Sequence, residues 1–269
     1  MSNLVSEADI QSFHEDGAIA VRGVVDAHWL DVLAQSIEAD IENPGPYYHG
    51  YEPEDGQGRF HGNLRTWEAH DGFRAFCLES PMAALAAEIL DSKKINLLYD
   101  QLFVKEPGTT NPTRWHNDQP YWPMDGYQVL TIWVALDETT AESGALEFVR
   151  GSHKWGRFFQ PEAFGKNAAA GYEQNPEYEK MIDVDAARDD YDIITFDLKP
   201  GDVYAFHALT VHGAGGNHSQ TRRRRGYAVR YTGDDVTYST RLGVNAGLRC
   251  ADLQHGDPLD SAQFPVVTL

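Results

Sequence analysis

The chain has 269 residues, 42% of them hydrophobic and 12% aromatic, which suffices for a packed core and excludes wholesale disorder. Against 22 basic residues stand 41 acidic ones; a surface with a net charge of −19 repels phosphate backbones and anionic lipid, so neither nucleic acid nor a membrane is expected as a partner. Cys77 and Cys250 lie far apart and provide neither a disulfide framework nor a CxxC zinc spacing, which points to a reducing interior. The opening MSNLVSEADI has no basic region followed by an apolar run, and no stretch approaches the ~18 apolar residues of a spanning helix. A cytoplasmic protein is expected.

No internal repeat or low-complexity linker interrupts the chain, so residues 1–269 are read as one domain, with a mainly helical part over 1–93 and a strand-rich core over 94–241. Ser6 with Asp9 three residues on resembles a capping box and starts a short helix that ends near His14. Asp16-Gly17 turns into an apolar strand over 18–21. Asp26 then caps a longer helix, in which Leu30, Val32, Leu33, Ile37 and Ile41 recur at helical spacing. Residues 43–58, rich in Pro, Gly and Tyr, read as a long loop, and 75–90 as a second amphipathic helix.

From Lys94 the texture changes. Strands are expected over 95–104, 127–136, 144–149, 192–198, 202–206, 210–212 and 226–232, most of them separated by Gly and Pro turns. Helices followed by many short strands predict helices packed on an antiparallel barrel or double-sheet jelly roll. Residues 157–190 interrupt the series with a long, mostly polar insertion, expected to cover the barrel mouth and help define the substrate.

Eleven histidines invite a search for metal ligands. The most informative stretch is Arg114-Trp115-His116-Asn117-Asp118-Gln119-Pro120. On an extended chain His116 and Asp118, two apart, share a face. Two His and one carboxylate on one face leave coordination positions open, the arrangement of non-haem Fe(II) oxygenases. His212, in Thr210-Val211-His212-Gly213-Ala214-Gly215-Gly216-Asn217, is the strongest candidate for the second imidazole, with His207 a competitor. Arg222-Arg223-Arg224-Arg225 follows, and four arginines in so acidic a protein need a reason. Two of them fit a solvated turn. By strand alternation Arg224, Gly226, Ala228 and Arg230 lie on one face and Arg225, Tyr227, Val229 and Tyr231 on the other; small residues at 226 and 228 leave space inside, where an inward arginine could grip a carboxylate.

His116-x-Asp118, His212 and an arginine about a dozen residues later resemble the phytanoyl-CoA dioxygenase family. The opening helix–strand–helix and the phrases Trp133-Val134-Ala135-Leu136, Gly144-Ala145-Leu146, Gly151-Ser152-His153 and Pro200-Gly201-Asp202 extend the likeness over most of the chain. The resemblance implies a double-stranded β-helix of jelly-roll, cupin-like type. It also implies dependence on Fe(II), 2-oxoglutarate and O2, with His116, Asp118 and His212 on the metal-ligand positions. The arginine that holds the distal carboxylate of 2-oxoglutarate falls on Arg223 by distance from the second His, or on Arg224 by the strand phrase, and the shared face with Gly226 and Ala228 favours Arg224. Lys105 matches a basic position near the cosubstrate and Trp133 an aromatic wall of the same pocket. Gln101, four residues before Lys105 and facing the same way, could reach cosubstrate or substrate, and Tyr121 and Trp122 could line a substrate pocket.

The expected activity is therefore Fe(II)- and 2-oxoglutarate-dependent hydroxylation or other oxidation of a small molecule. Asp118 argues against the halogenating branch, which replaces the carboxylate with a small residue. A cupin-like metal-binding protein without oxygenase activity is the alternative, and a nucleic-acid demethylase a third reading that the acidity disfavours. The substrate and the oligomeric state are not readable from this chain.

Overall fold

The computed structural model describes residues 3–51, 58–162 and 172–269. Its elements are α1 (Glu7–Asp16), β1 (Ala18–Val21), α2 (Ala27–Glu42), β2 (Phe60–Leu64), α3 (Asp71–Glu79), α4 (Met82–Leu90), β3 (Ile95–Lys105), β4 (Thr113–His116), β5 (Met124–Asp125), β6 (Val129–Ala135), β7 (Leu146–Val149), β8 (Ile193–Thr195), β9 (Val203–His207), β10 (His212–Ala214), β11 (Arg224–Thr232), β12 (Thr237–Tyr238) and β13 (Val266–Val267). No helix among the described residues is long and apolar enough to cross a membrane.

The helices start and stop where local chemistry dictates. Ser6 Oγ accepts the Asp9 amide at 3.1 Å and donates to the Asp9 carboxylate at 2.6 Å, closing the expected cap. Gly17 ends α1 at φ 86°, and a Cβ there would lie 2.4 Å from His153 Nδ1. Asp26 caps α2 through the Trp29 amide. The single helix expected over 75–90 is instead two, α3 and α4, broken at Ser80-Pro81. Proline has no N–H to continue the ladder and pushes the preceding residue out of helical geometry; Ser80 is extended, at φ −73° and ψ 167°.

All strand pairs are antiparallel. The major sheet runs β1-β9-β6-β11-β3-β13, with β2 also paired to β3, and the minor sheet runs β4-β10-β7-β8. One face of the major sheet buries Leu102, Val104, Ile132, Val134, Tyr227 and Val229 against Leu33, Ile37, Phe73, Phe76, Leu85 and Ile89 of the helices. Its other face packs Trp133, Ala135, Tyr204, Phe206 and Ala228 on Leu146, Phe148 and Ala214 of the minor sheet. These are the two facing sheets of a double-stranded β-helix. Among the described residues no strand pair joins them, so the expected barrel is a sandwich and not a continuously bonded cylinder. The edge strands β2, β4 and β13 were not expected; β2 follows the loop-like Pro- and Gly-rich stretch, β13 has two residues, and β4 is interrupted by a bulge.

The register of β6, β11 and β3 sets the interior in rows. Lys105 faces Arg224; Phe103, Gly226 and Ala135 form the next row, then Gln101, Ala228 and Trp133, then Tyr99, Arg230 and Thr131. The space expected at Gly226 is filled by the Trp133 indole: a Cβ at 226 would lie 1.8 Å from Trp133 Cζ2. Gly226→Ala therefore forces the indole aside and should cost about 1–3 kcal/mol of stability, read as a lower denaturation midpoint at unchanged m-value.

On the helix side of β3, Asp100 is fully buried. It accepts hydrogen bonds from the hydroxyls of Thr66 and Tyr227 and from the Trp67 amide. Burial pushes its carboxyl up to about 6 in spite of these donors. The folded state thus holds the proton more tightly than the unfolded chain, and stability is lost as pH rises from about 4 through about 6. Across that window the wild type should lose on the order of 3 kcal/mol relative to Asp100→Asn, measured as the difference between their unfolding free energies against pH. Parallel pH profiles for the two proteins would contradict this assignment.

Candidate metal centre

β4 ends on His116 and β10 begins on His212, and the two residues are direct Cα partners across the ladder. The register slips between His212 and Ala214, which faces Thr113, so β4 carries an extra residue beside His116. The imidazole centroids lie 4.3 Å apart. Each ring donates from Nδ1 to a carbonyl two residues back in its own chain, His116 to Arg114 O at 2.8 Å and His212 to Thr210 O at 2.9 Å. A carbonyl can only accept, so both Nε2 atoms keep their lone pairs. These lie 3.4 Å and 4.0 Å from Asp118 Oδ1.

Asp118 does not reach this position by strand alternation. Its backbone is helical, at φ −76° and ψ −41°, and leads into a short 3-10 turn, Gln119–Tyr121. A single carbonyl, Ala208 O, accepts the amides of both Asp118 and Gln119, at 2.8 Å and 3.0 Å. Thr131 Oγ1 donates to Asp118 Oδ2 at 2.9 Å, leaving Oδ1 aimed at the imidazoles.

Burial alone would raise the Asp118 carboxyl, but the two imidazoles beside it and the Arg230 guanidinium hold it below the usual carboxylate range. Burial, with His116 beside it, pushes His212 down to about 4. Near neutral pH the site thus offers a carboxylate and an unprotonated His212 ring. Among the described residues this is the one group of three or more His, Cys, Asp or Glu placed to hold a metal ion, its ligating atoms all within 4.8 Å of one another. Two imidazole nitrogens and one carboxylate oxygen, each oriented by a second hydrogen bond, are a donor set suited to a divalent transition metal.

At the other end of the inner face lie two buried cations. Arg224 is 2% exposed, its guanidinium 5.3 Å from the centroid of the Trp133 ring, and among the described residues its only hydrogen bonds are long ones to Ser143 O and Gly144 O, at 3.4 Å and 3.3 Å. Burial pulls it down to about 10. Lys105 Nζ donates to Gly215 O at 2.6 Å; burial and the neighbouring Arg224 push its ammonium well below the usual range. Neither cation has a carboxylate partner among the described residues, an arrangement that calls for a bound anion. The other arginines of the run point outward into ion pairs, Arg222 with Glu138 and Glu142, Arg223 with Glu106 and Glu38 at 2.6 Å each, and Arg225 with Asp137 at 2.8 Å. Three of the four are therefore surface residues where two were expected, and Arg223, the rival for the anion, is engaged outside the sandwich.

Gln101 faces inward, its Oε1 accepting from Arg230 at 2.9 Å and its amide 3.3 Å from His49 Nε2. Tyr121 stands edge-on to His116, with ring centroids 5.9 Å apart, and its hydroxyl binds the backbone of Glu162. Trp122 is fully buried and donates its indole N–H to Tyr99 OH at 2.8 Å, so it backs the wall and does not form it. His207 turns away, bonded to Tyr127 O and the Leu209 amide. The expected insertion lies partly outside the described residues, at 163–171. Of the remainder, Phe159, Val184 and Met181 pack with Trp115, Val149 and Val211, while Glu162 and Tyr172 meet Tyr121. Sequence reasoning missed Thr131, the Ala208 carbonyl and the place of Arg230. Only Arg230 left a signal, the face it shares with Arg224.

Residues 13–226 match the phytanoyl-CoA dioxygenase (PhyH) family. The dioxygenase lolE1 of Epichloe uncinata is 30% identical over 227 residues, covering 81% of this chain and 80% of its own length. The alpha-ketoglutarate-dependent carbocyclase SnoK from nogalamycin biosynthesis superposes with a TM-score of 0.77 at 24% identity, over 98% of this chain and 97% of its own. The epimerase SnoN, crystallised with Fe3+, alpha ketoglutarate and nogalamycin RO, gives 0.72 at 25% identity, over 97% of each chain. With the jelly-roll sandwich and the His-Asp-His cluster already described, the chain belongs to the phytanoyl-CoA dioxygenase family and is an Fe(II)- and 2-oxoglutarate-dependent dioxygenase.

Proposed function

We propose that His116, Asp118 and His212 hold the iron, that Arg224 grips the distal carboxylate of 2-oxoglutarate with Lys105 beside it, and that the substrate is a small molecule presented from the Tyr121 and Gln101 side. The observation that carries this reading is a carboxylate-free, buried guanidinium on the same inner face as Thr131, the residue that orients Asp118. Iron held by these residues would supply, with 2-oxoglutarate and O2, the oxidation of a substrate carbon, the cosubstrate leaving as succinate and CO2.

The chain's own residues have distinct tasks. Thr131 occupies Asp118 Oδ2, so the carboxylate offers one oxygen and leaves coordination positions open. The Nδ1 bonds of His116 and His212 fix the tautomer and ring orientation. Trp133 walls the cosubstrate and stacks on Arg224. The enclosing sheets exclude water. Whether the product is a hydroxyl, an epimer or a new ring, as the names of the neighbours suggest for those enzymes, depends on what surrounds the reacting carbon.

Two measurements test the assignment. Asp118→Ala should abolish stoichiometric Fe(II) binding, and Thr131→Val should weaken it by about 10–100-fold, both read by anaerobic metal titration. Retention of wild-type affinity by both variants would place the metal elsewhere. For the anchor, Arg224→Met should lose on the order of 2–5 kcal/mol of 2-oxoglutarate binding to the metal-loaded protein, while Arg223→Met stays near wild type. The reverse order would exchange the two arginines.

A further inference from the structure

β11 turns a second arginine inward, and the assignments above use only the charge it presents toward Asp118. Arg230 is 4% exposed and lies in the row with Thr131 and Tyr99, beside the hydroxyl that holds Asp118. Its guanidinium lies 4.6 Å from the centroid of the Tyr99 ring and 6.0 Å from that of Phe103. Nη2 donates to Gln101 Oε1 at 2.9 Å, Nη1 reaches Ala228 O at the limit of 3.5 Å, and the buried Nε has no partner among the described residues. No Asp or Glu among the described residues forms an ion pair with it. A guanidinium carries five N–H donors, and burial without an anion leaves most of them unused at a cost.

The surroundings hold this group in place. The β3–β11 register slips between Arg230 and Tyr231, which faces Leu97, so β3 has an extra residue at Leu98. Leu98 and Tyr99 accordingly both pack with Tyr121 and Trp122 on the side away from the helices. The indole of Trp122 fixes the Tyr99 hydroxyl, and with it the ring beneath the guanidinium. His49 donates from Nδ1 to Tyr47 O at 3.2 Å, so its Nε2 accepts the Gln101 amide, which turns Gln101 Oε1 toward Arg230.

The charge of the interior argues for a further anion. Asp118 is the nearby carboxylate, and as a metal ligand its charge is committed. Arg224, Lys105 and Arg230 face it from the same sheet. A divalent ion and the dianionic cosubstrate leave positive charge in excess, even with Lys105 neutral. The cosubstrate's distal carboxylate has Arg224, six residues from Arg230 and about 20 Å along an extended strand, so the two guanidiniums serve different anionic groups.

We propose that Arg230, oriented by Gln101 and stacked on Tyr99, binds the carboxylate of the primary substrate, which makes that substrate a small organic acid. The planar fork of a guanidinium fits a carboxylate bidentately. The inference rests on the proposed metal and cosubstrate sites.

The test is thermal unfolding of the full chain loaded with Mn(II) and saturating 2-oxoglutarate, against a panel of aryl and alicyclic carboxylic acids, each paired with its primary carboxamide. At least one acid should raise the Tm while its amide does not, and the same acid should stimulate O2-dependent succinate formation by the Fe(II) protein. Arg230→Met should lose that shift, Arg230→Lys should keep part of it, and Gln101→Leu, which frees the guanidinium without removing it, should weaken the acid by at least about tenfold. Shifts by no acid, or equal shifts by acids and amides, overturn the proposal. So does an Arg230→Met protein that loses 2-oxoglutarate as severely as Arg224→Met, because the anion would then be the cosubstrate's own. If Mn(II) and 2-oxoglutarate themselves leave the wild-type Tm unmoved, the underlying sites fall, and the inference falls with them.

Discussion

The site depends on one register. His212 lies directly opposite His116 across the β4–β10 ladder, and the chain leaving His116 is drawn back by two amides that share the Ala208 carbonyl. Slipping that pairing by one residue would turn one imidazole to the other face of the minor sheet. Losing the shared carbonyl would let the turn after His116 straighten and carry the Asp118 carboxylate away. The remaining contacts refine this arrangement: Nδ1 bonds set the tautomers, and Thr131 selects which carboxylate oxygen is presented.

The two sheets are unequal partners. The minor sheet supplies both imidazoles. The major sheet, stiffened by the helices packed on its far side, supplies the charges that face them in rows fixed by antiparallel pairing. Positive charge in such an interior is costly unless ligands neutralise it. Arg224, Lys105 and Arg230 therefore carry in their burial a requirement for anions, while the remaining arginines of the run are spent on surface carboxylates. This division explains how a protein of net charge −19 keeps a cationic core.

Much of this was legible in the sequence because strand alternation has a period of two. The inward face of β11, the inward β3 residues Gln101 and Lys105, and the metal-ligand residue types all follow from spacing or from family phrases. What was not legible depended on distant backbone. Asp118 owes its place to Ala208, ninety residues later in the chain, and nothing near His116 predicts a helical turn there. Gly226 reads as open space because Trp133, one pair further along the ladder and opposite Ala228, lays its indole over it, which is invisible from the local pattern. Pro81 was legible and decisive: it splits a helix whose apolar periodicity continues across the break. Trp122 looked like a pocket residue because an aromatic beside a metal motif carries no sign of which way it faces.

The central claim is that one buried His-Asp-His site binds iron and 2-oxoglutarate together. The most direct measurement is visible absorption during anaerobic addition of 2-oxoglutarate to the Fe(II)-loaded protein. Chelation of the keto acid at the iron should produce a charge-transfer band that saturates at one cosubstrate per chain and is missing in His212→Ala. Iron that binds without producing such a band, or a band of full strength in the His212→Ala protein, would contradict the account.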